Sequence, residues 1–310
     1  MKLGILNHYL VNERDEKLLD LHLGQIERHT KVPYTIYATV NGLLPQFRAK
    51  MERHHRVKIC ECPTVHLPIG QDHAFYLEHL IKTATEDGCT HIVILHVDSF
   101  PIRSDWVEEL AGKLSESYVF AAPYYGAYTA CLFFQRDFYL RYRPTFFIPE
   151  DERSSEKYKI FCKKFEHIPH AGAGYLFKAY SEGLSWYPLQ ESNKGNAHYG
   201  YICSIYDDLV FHLGAVWTYS EYEIRKSTSH MCVRKWVWKH FWFPIFRILF
   251  SGTQQQALGA KKFFIPRHLM SLGWKHLGFP MFFTPILWHE RKQLLEDPES
   301  YLNYLRTGKR

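Results

Sequence analysis

The chain has 310 residues, of which 46% are hydrophobic and 23% are charged, and its formal net charge is +6. This composition is typical of a folded globular protein and excludes a disordered chain, a collagen-like repeat and a small disulfide scaffold. The two most apolar stretches, residues 241–250 and 277–288, are interrupted by prolines. Neither supplies the roughly 20 apolar residues that a membrane-spanning helix needs.

Two features bear on the compartment. No signal-peptide pattern opens the chain, because the apolar run at residues 3–6 is short and polar residues follow at 12–15. The seven cysteines are odd in number, and no second close pair joins Cys60 and Cys62 to complete a zinc site. We therefore expect free thiols, a reducing compartment and a cytoplasmic location.

The first 122 residues alternate between strand patterns and helix patterns. In chain order the predicted strands are 3–6, 34–40, 57–60, 91–97 and 118–122, and the predicted helices are 15–29, 43–54, 72–87 and 106–114. The run from His91 to Val97 is almost continuously apolar, as expected for a strand buried on both faces of a parallel sheet. This alternation predicts an α/β domain with a mostly parallel central sheet, in which ligands bind beyond the carboxyl ends of the strands.

The segment after this buried strand carries the main chemical pattern. It contains His96, Asp98 and Pro101, and Trp106 opens the next predicted helix. A carboxylate at the mouth of a buried strand is costly to desolvate unless it meets a cation or hydrogen-bond donors. The alternative role for Asp98 is a cap or turn ahead of the helix that begins at Trp106.

This segment resembles the GT-A glycosyltransferases of the family-2 type, in which an apolar strand ends in Asp-x-Asp. Asp98, Pro101 and Trp106 match the family's spacing, and His96 stands where the family has its first Asp, which makes a His-x-Asp variant. The resemblance implies a GT-A (Rossmann-like) fold and a nucleotide-sugar donor. It also implies a divalent metal, Mn²⁺ or Mg²⁺, that Asp98 holds against the donor diphosphate. His96 would then contribute a metal ligand or a hydrogen bond to the donor.

The resemblance covers about residues 1–220. In the second half of this range it rests on the general pattern of strands, helices and turns. It implies a core strand within 127–134, an acceptor-side helix from 172 and a closing strand within 207–214. In the family, the closing strand carries a histidine that completes the metal site, and His212 stands there. By composition alone, His212 would be an ordinary packed or surface residue among 19 histidines.

At the donor end, the resemblance implies contacts from residues that follow the first two strands. Asn7 and Tyr9 follow the first strand, and Asn41 follows the second. Asp72 opens the helix before the metal strand, where a donor contact and a plain helix cap are alternatives.

An inverting transferase also needs a general base for the acceptor hydroxyl. The family usually has an Asp at the start of the acceptor-side helix, whereas residues 167–172 of this chain contain no carboxylate. We predict that His170 is the base, with Asp151 as its rival from a nearby loop.

Charge divides the chain after residue 224. Residues 1–224 carry 23 Lys and Arg against 28 Asp and Glu, whereas residues 225–310 carry 15 against 4 and are rich in aromatic side chains. The sequence therefore predicts a GT-A domain over 1–224 and a helical, basic and aromatic extension over 225–310. The extension could pack on the main domain, meet an anionic membrane at its cytoplasmic face, or stack on single-stranded nucleic acid.

Three functional interpretations follow. The expected one is a glycosyltransferase that moves a sugar from a nucleotide-sugar donor to a polysaccharide or glycolipid acceptor. The second is an altered GT-A-like domain that binds a nucleotide sugar without transfer, which His96 and the missing acceptor-side carboxylate would allow. The third is a nucleic-acid-binding protein, which the net negative charge of residues 1–224 disfavours.

Overall fold

The computed structural model describes residues 1–11, 15–67, 71–115, 117–123, 128–165, 171–195, 203–214 and 290–309. The strands are β1 Leu3–His8, β2 Tyr34–Thr39, β3 Val57–Ile59, β4 His91–Leu95, β5 Ser99–Pro101, β6 Tyr118–Pro123, β7 Cys131–Gln135, β8 Ser185–Leu189, β9 Ser204–Tyr206 and β10 Val210–His212. The helices with both ends described are α1 Glu16–His29, α2 Pro45–Arg53, α3 Gln71–Glu86, α4 Trp106–Lys113, α5 Arg136–Tyr142, α6 Glu150–Arg153, α7 Glu156–Phe165, α8 Ala173–Ser181 and α9 Pro298–Thr307.

Seven strands form the central sheet in the order β3-β2-β1-β4-β7-β6-β8. Strands β1 to β4 are mutually parallel, and β6 and β8 are parallel to each other. Strand β7 is antiparallel to both of its neighbours, because the connection from β6 is too short for the crossover that a parallel pair requires. The mostly parallel α/β sheet expected from the sequence is confirmed.

Helices cover both faces of this sheet, as strand β4 illustrates. Val93 and Leu95 pack into one apolar core with residues of α1, α2 and α4. Ile92 and Ile94 point the other way, into a second core with residues of α3, α5, α7 and α8. All four side chains are fully buried. Because each strand residue alternates between two covered faces, the apolar run predicted from the sequence is explained.

A smaller sheet of three strands has the order β5-β10-β9, and of these only β5 follows directly after β4 in the chain. Strand β10 is antiparallel to β5, and His212 pairs with Ser99 in that register. This long-range pairing joins the closing strand to the segment that follows β4. It therefore determines which side chains meet at the carboxyl end of β4.

The chain divides into two compact units, residues 1–192 with 205–212, and residues 193–204 with 213–310. The first unit contains the central sheet. In the second unit, Asp297 caps helix α9 by accepting a hydrogen bond from the Ser300 amide, and Tyr301 donates one to Glu290. The predicted boundary after residue 224 and most of the predicted basic extension lie outside the described residues.

Two further expectations concern the membrane and the thiols. The described helices are all too short or too polar to traverse a lipid bilayer. Five cysteines of the described ranges, Cys60, Cys62, Cys89, Cys131 and Cys162, are free thiols, as the sequence analysis expected.

A close backbone approach at Gly174 yields a stability prediction. Gly174 lies in the first turn of α8, and a Cβ atom at this position would overlap the carbonyl oxygen of Thr145. We expect Gly174→Ala to lower the free energy of unfolding by about 3 kcal/mol, because a backbone atom cannot rotate away from the clash. Urea unfolding monitored by circular dichroism measures the loss.

The matched control is Gly112→Ala in α4, where no atom lies within 4 Å of the added Cβ. Its better helix propensity should raise the stability by up to about 1 kcal/mol. Equal unfolding midpoints for the two variants would contradict the close approach at Gly174.

Candidate metal site at the carboxyl end of the sheet

The candidate site begins with a tight turn at the end of β4. The sequence predicts a strand up to Val97, but β4 ends at Leu95 and the chain turns between His96 and Ser99. The Ser99 amide donates to the His96 carbonyl at 3.0 Å, and the His96 amide donates to the Ser99 hydroxyl at 2.7 Å. These reciprocal bonds close the turn directly after Leu95, so the strand prediction is wrong for residues 96–97.

This turn and strand β10 bring three potential metal ligands together. One ligand atom from each of His96, Asp98 and His212 lies within 4.8 Å of the others. The Asp98 carboxylate lies 3.8 Å from Nδ1 of His96 and 3.8 Å from Nε2 of His212. These are the three residues that the sequence analysis predicted as metal ligands.

The remaining nitrogen of each imidazole is engaged by a neighbouring hydroxyl group. Nε2 of His96 lies 2.8 Å from Oγ1 of Thr129, and Nδ1 of His212 lies 3.2 Å from the hydroxyl of Tyr206. Hydrogen bonds of this kind orient an imidazole and select its tautomer. The nitrogens that face Asp98 are therefore the ones that would bind a cation at this cluster.

Burial determines the charge of this cluster. It lowers the pKa of His96 to about 3 and the pKa of His212 to about 3, so both rings are neutral at pH 7. Asp98 is only 4% exposed. A buried carboxylate placed between two imidazole nitrogens is a ligand set that a divalent cation can occupy. Two imidazole nitrogens and a carboxylate oxygen also suit a divalent transition metal, so the residues fit such an ion.

A row of aromatic rings extends from this cluster along the carboxyl ends of the parallel strands. The ring of His73, in the first turn of α3, lies 5.3 Å from that of His96 and 5.8 Å from that of His8. His8 ends β1, stacks on Tyr76 at 4.2 Å and shares a hydrogen bond of 2.7 Å with Thr39 at the end of β2. The ends of β1, β2 and β4 are thus joined by ring contacts and hydrogen bonds.

His8 and His73 were not predicted as site residues, whereas their neighbours Asn7, Tyr9 and Asp72 were. Side chains along β1 alternate between the two faces of the sheet. Leu3, Ile5 and Tyr9 face the first core, whereas Leu6 faces the second. His8 shares the parity of Leu6 and therefore points toward α3.

Helical spacing would have found His73. It precedes Leu77, Leu80 and Ala84 at intervals of four, three and four residues, and these three lie in the second core. The sheet-facing stripe of α3 therefore begins with a histidine.

The residues predicted as donor contacts near β1 lie in the protein interior. Asn7 and Tyr9 are fully buried, and both contact Nε2 of His22, at 3.4 and 3.0 Å. Nδ1 of His22 donates to the Ser99 carbonyl at 2.9 Å, so its Nε2 accepts the Tyr9 hydroxyl proton. Burial lowers the pKa of His22 to about 4, which is consistent with this neutral tautomer. His22 therefore ties α1 and the end of β1 to the turn of the candidate site.

The other predicted residues lie in different surroundings. The Asn41 side chain donates to the Cys62 carbonyl at 2.7 Å, and the Asp72 carboxylate accepts the His73 amide at 2.7 Å. Asp151 is exposed on the short helix α6. His170 lies outside the described residues. The structure thus brings His96, Asp98 and His212 together and leaves the predicted general base untested.

Comparisons with known proteins give only distant structural likenesses. No protein-family model matches the chain, and no curated protein matches its sequence. Among solved structures, TarS of S. aureus in complex with UDP-GlcNAc is 12% identical with a TM-score of 0.30, over 39% of this chain and 34% of TarS. The mannosyltransferase PcManGT of Pyrobaculum calidifontis, in complex with GDP-Man and Mn²⁺, is 13% identical with a TM-score of 0.31, over 45% and 46% of the two chains.

A third structure is the galactosyltransferase LgtC in complex with donor and acceptor sugar analogues. It is 9% identical with a TM-score of 0.36, over 60% of this chain and 73% of LgtC. The chain spans about a third of TarS and under half of PcManGT. Likenesses this weak assign neither a ligand nor a reaction to this chain.

The contact between Tyr9 and His22 generates a prediction that separates a packing role from a ligand-binding role. We expect Tyr9→Phe to lower the free energy of unfolding by about 1–2 kcal/mol, because the buried Nε2 of His22 loses its hydroxyl donor. Chemical denaturation measures the change. Tyr118→Phe is the control, since Tyr118 is 38% exposed and should tolerate the change within about 0.5 kcal/mol. A Tyr9→Phe protein as stable as its parent would exclude the packing role.

Proposed function

We propose that the protein is a metal-dependent glycosyltransferase of the GT-A fold that uses a nucleotide-sugar donor. The observation that carries the proposal is the convergence of His96, Asp98 and His212 at the carboxyl end of β4. By the resemblance in sequence, these residues correspond to the positions at which that family holds its metal, with His96 as the variant position. The mostly parallel sheet supports the same interpretation, because such sheets bind ligands beyond the carboxyl ends of their strands.

In this proposal the donor lies across the ends of β1, β2 and β4. The joined ends of β1, β2 and β4 support that location, because sheets of this type bind ligands beyond the carboxyl ends of their parallel strands. Asn41 and Asp72 remain proposed donor contacts at the edges of the same region. Asn7 and Tyr9 would act on the donor only indirectly, through the position of the strand end.

The cluster suits the chemistry of sugar transfer from a diphosphate. A divalent ion held by His96, Asp98 and His212 would offset the negative charge that develops on the diphosphate leaving group. Asp98 supplies the only negative charge among these three side chains. Thr129 and Tyr206 keep the two imidazoles turned toward it. The protein's own contribution is therefore a preorganised set of ligands that needs no rearrangement during the reaction.

The acceptor side is proposed from the sequence. His170 is the proposed general base, with Asp151 as its rival, and one of them would take the proton of the acceptor hydroxyl in an inverting displacement. The exposed position of Asp151 leaves its carboxylate accessible to a bound saccharide. A saccharide or a lipid-linked saccharide is the proposed acceptor.

The basic, aromatic residues 225–310 provide the basis for a membrane-side acceptor. Their excess of Lys and Arg over Asp and Glu suits the anionic cytoplasmic face of a membrane. We propose that residues 1–224 form the transferase domain and that the extension presents the acceptor. No nucleic-acid partner is proposed.

Binding without transfer is the second candidate function, and the His-x-Asp variant is the observation that favours it. A nucleotide sugar that binds with metal but is neither hydrolysed nor transferred would select this alternative. Turnover of the same nucleotide sugar would select the transferase.

The proposal predicts the effect of removing the Asp98 charge. In a screen of UDP- and GDP-sugars by isothermal titration calorimetry, the parent should bind at least one donor only when Mn²⁺ is present. Asp98→Asn keeps the shape of the side chain but removes its charge, so donor affinity in Mn²⁺ should fall by at least about 100-fold, more than for a change outside the ligand set.

Asp137→Asn is the matched control, because Asp137 lies in the exposed first turn of α5. It should bind the donor as the parent does. Thermal melting of both variants without metal verifies that each is folded. Undiminished Mn²⁺-dependent binding by Asp98→Asn would refute the assignment of this site.

A further inference from the structure

The ligand set of this site is unusual for an ion that bridges phosphates, because nitrogen atoms outnumber oxygen atoms. His96 offers Nδ1, His212 offers Nε2 and Asp98 offers one carboxylate oxygen. Mg²⁺ and Ca²⁺ are hard ions that bind almost entirely through oxygen. Imidazole instead favours first-row transition ions, whose affinities rise from Mn²⁺ through Co²⁺ toward Cu²⁺.

Both imidazoles are held in the orientation that this chemistry needs. The Thr129 hydroxyl, which is 3% exposed, lies 2.8 Å from Nε2 of His96. The Tyr206 hydroxyl lies 3.2 Å from Nδ1 of His212, and Tyr206 is also 3% exposed. Buried partners of this kind are not replaced by water, so each ring presents a defined nitrogen to the cluster. The orientation of both nitrogen ligands is therefore held by buried hydroxyl groups.

We propose that this site selects a first-row transition ion over Mg²⁺ and Ca²⁺, that His96 determines the selectivity, and that Thr129 is a positioning residue for His96. The inference deepens the proposed function, since it concerns the same site. It rests on the proposed function only where it assigns the ion a role in sugar transfer. The selectivity itself is a property of the three side chains and can be measured without any donor or acceptor.

The test exchanges the nitrogen ligand for an oxygen ligand. CoCl₂, MnCl₂ and MgCl₂ are titrated separately into the full chain, and isothermal titration calorimetry gives the three dissociation constants. The parent should bind Co²⁺ at least about 100-fold more tightly than Mg²⁺, because two of its three ligands are imidazoles. In His96→Asp this ratio should fall at least about tenfold, through weaker Co²⁺ binding and tighter Mg²⁺ binding together.

Visible absorption spectroscopy provides a second measurement of metal binding by the same variants. The visible absorption of bound Co²⁺ reports its ligands, so the parent and His96→Asp spectra should differ in band position. His55→Asp is the matched control, because His55 is an exposed histidine outside the cluster. It should leave the ratio and the spectrum unchanged, which separates the site from adventitious binding by surface histidines.

The positioning role of Thr129 has its own variants. Thr129→Val keeps the shape of the side chain but removes the hydroxyl, and Co²⁺ affinity should fall by about 10–100-fold, as is typical when a hydrogen bond to a metal-binding histidine is lost. Thr129→Ser keeps the hydroxyl and should restore most of the affinity. A purely structural role would lower thermal stability in both variants and leave the affinity of the folded protein unchanged.

Two results would overturn the inference. One is a parent that binds Mg²⁺ as tightly as Co²⁺, and the other is a Co²⁺ to Mg²⁺ ratio that His96→Asp does not change. Either could occur while the chain still binds a nucleotide sugar in the presence of Mg²⁺, in which case the proposed function would stand. Conversely, selective Co²⁺ binding without any affinity for nucleotide sugars would support the ion site and refute the proposed function.

Discussion

The Asp98 carboxylate is buried between two imidazoles, 3.8 Å from each, and burial keeps both imidazoles neutral. A negative charge in such surroundings is costly unless a cation or hydrogen-bond donors offset it. The same burial leaves one nitrogen of each ring able to act as a metal ligand. The convergence of these three side chains at the carboxyl end of β4 underlies both proposals.

Several layers of the fold hold this arrangement. Ser99 closes the turn that carries His96 and Asp98, and its pairing with His212 brings the third ligand from a strand more than 100 residues away. His22 links the same turn to helix α1 and to the buried Tyr9 hydroxyl. Changes at these supporting residues should therefore reach the site through the backbone.

Local patterns predicted most of the fold. Three patterns were sufficient to predict the α/β sheet: the apolar run of β4, the helical spacing of α1 and α3, and the alternation of strands and helices. They were sufficient because helices cover both faces of the sheet, so buried positions are apolar on each face. The direction of β7 was not predicted, although the short connection from β6 permits only an antiparallel pair. The end of β4 was also misplaced, since apolar Val97 continues the strand pattern although the chain turns after Leu95.

The candidate site was predictable only in part. His96, Asp98 and His212 were expected as ligands from the resemblance to the GT-A family, but the pairing of β5 with β10 that joins them is a long-range contact that no local pattern contains. Thr129 and Tyr206 could not be found from the sequence, because their role depends on hydrogen bonds to specific ring nitrogens. His8 and His73 were predictable from the alternation of side chains along β1 and from the helical spacing of α3, although the predictions named their neighbours Asn7 and Asp72.

The most direct test of the central claim is anomalous diffraction from crystals grown with MnCl₂ and a nucleotide sugar that binds. The account predicts an anomalous peak at the manganese edge within coordination distance of His96 Nδ1, the Asp98 carboxylate and His212 Nε2, with diphosphate oxygens on its open side. A bound nucleotide sugar with no manganese at this cluster, or manganese bound elsewhere in the chain, would contradict it.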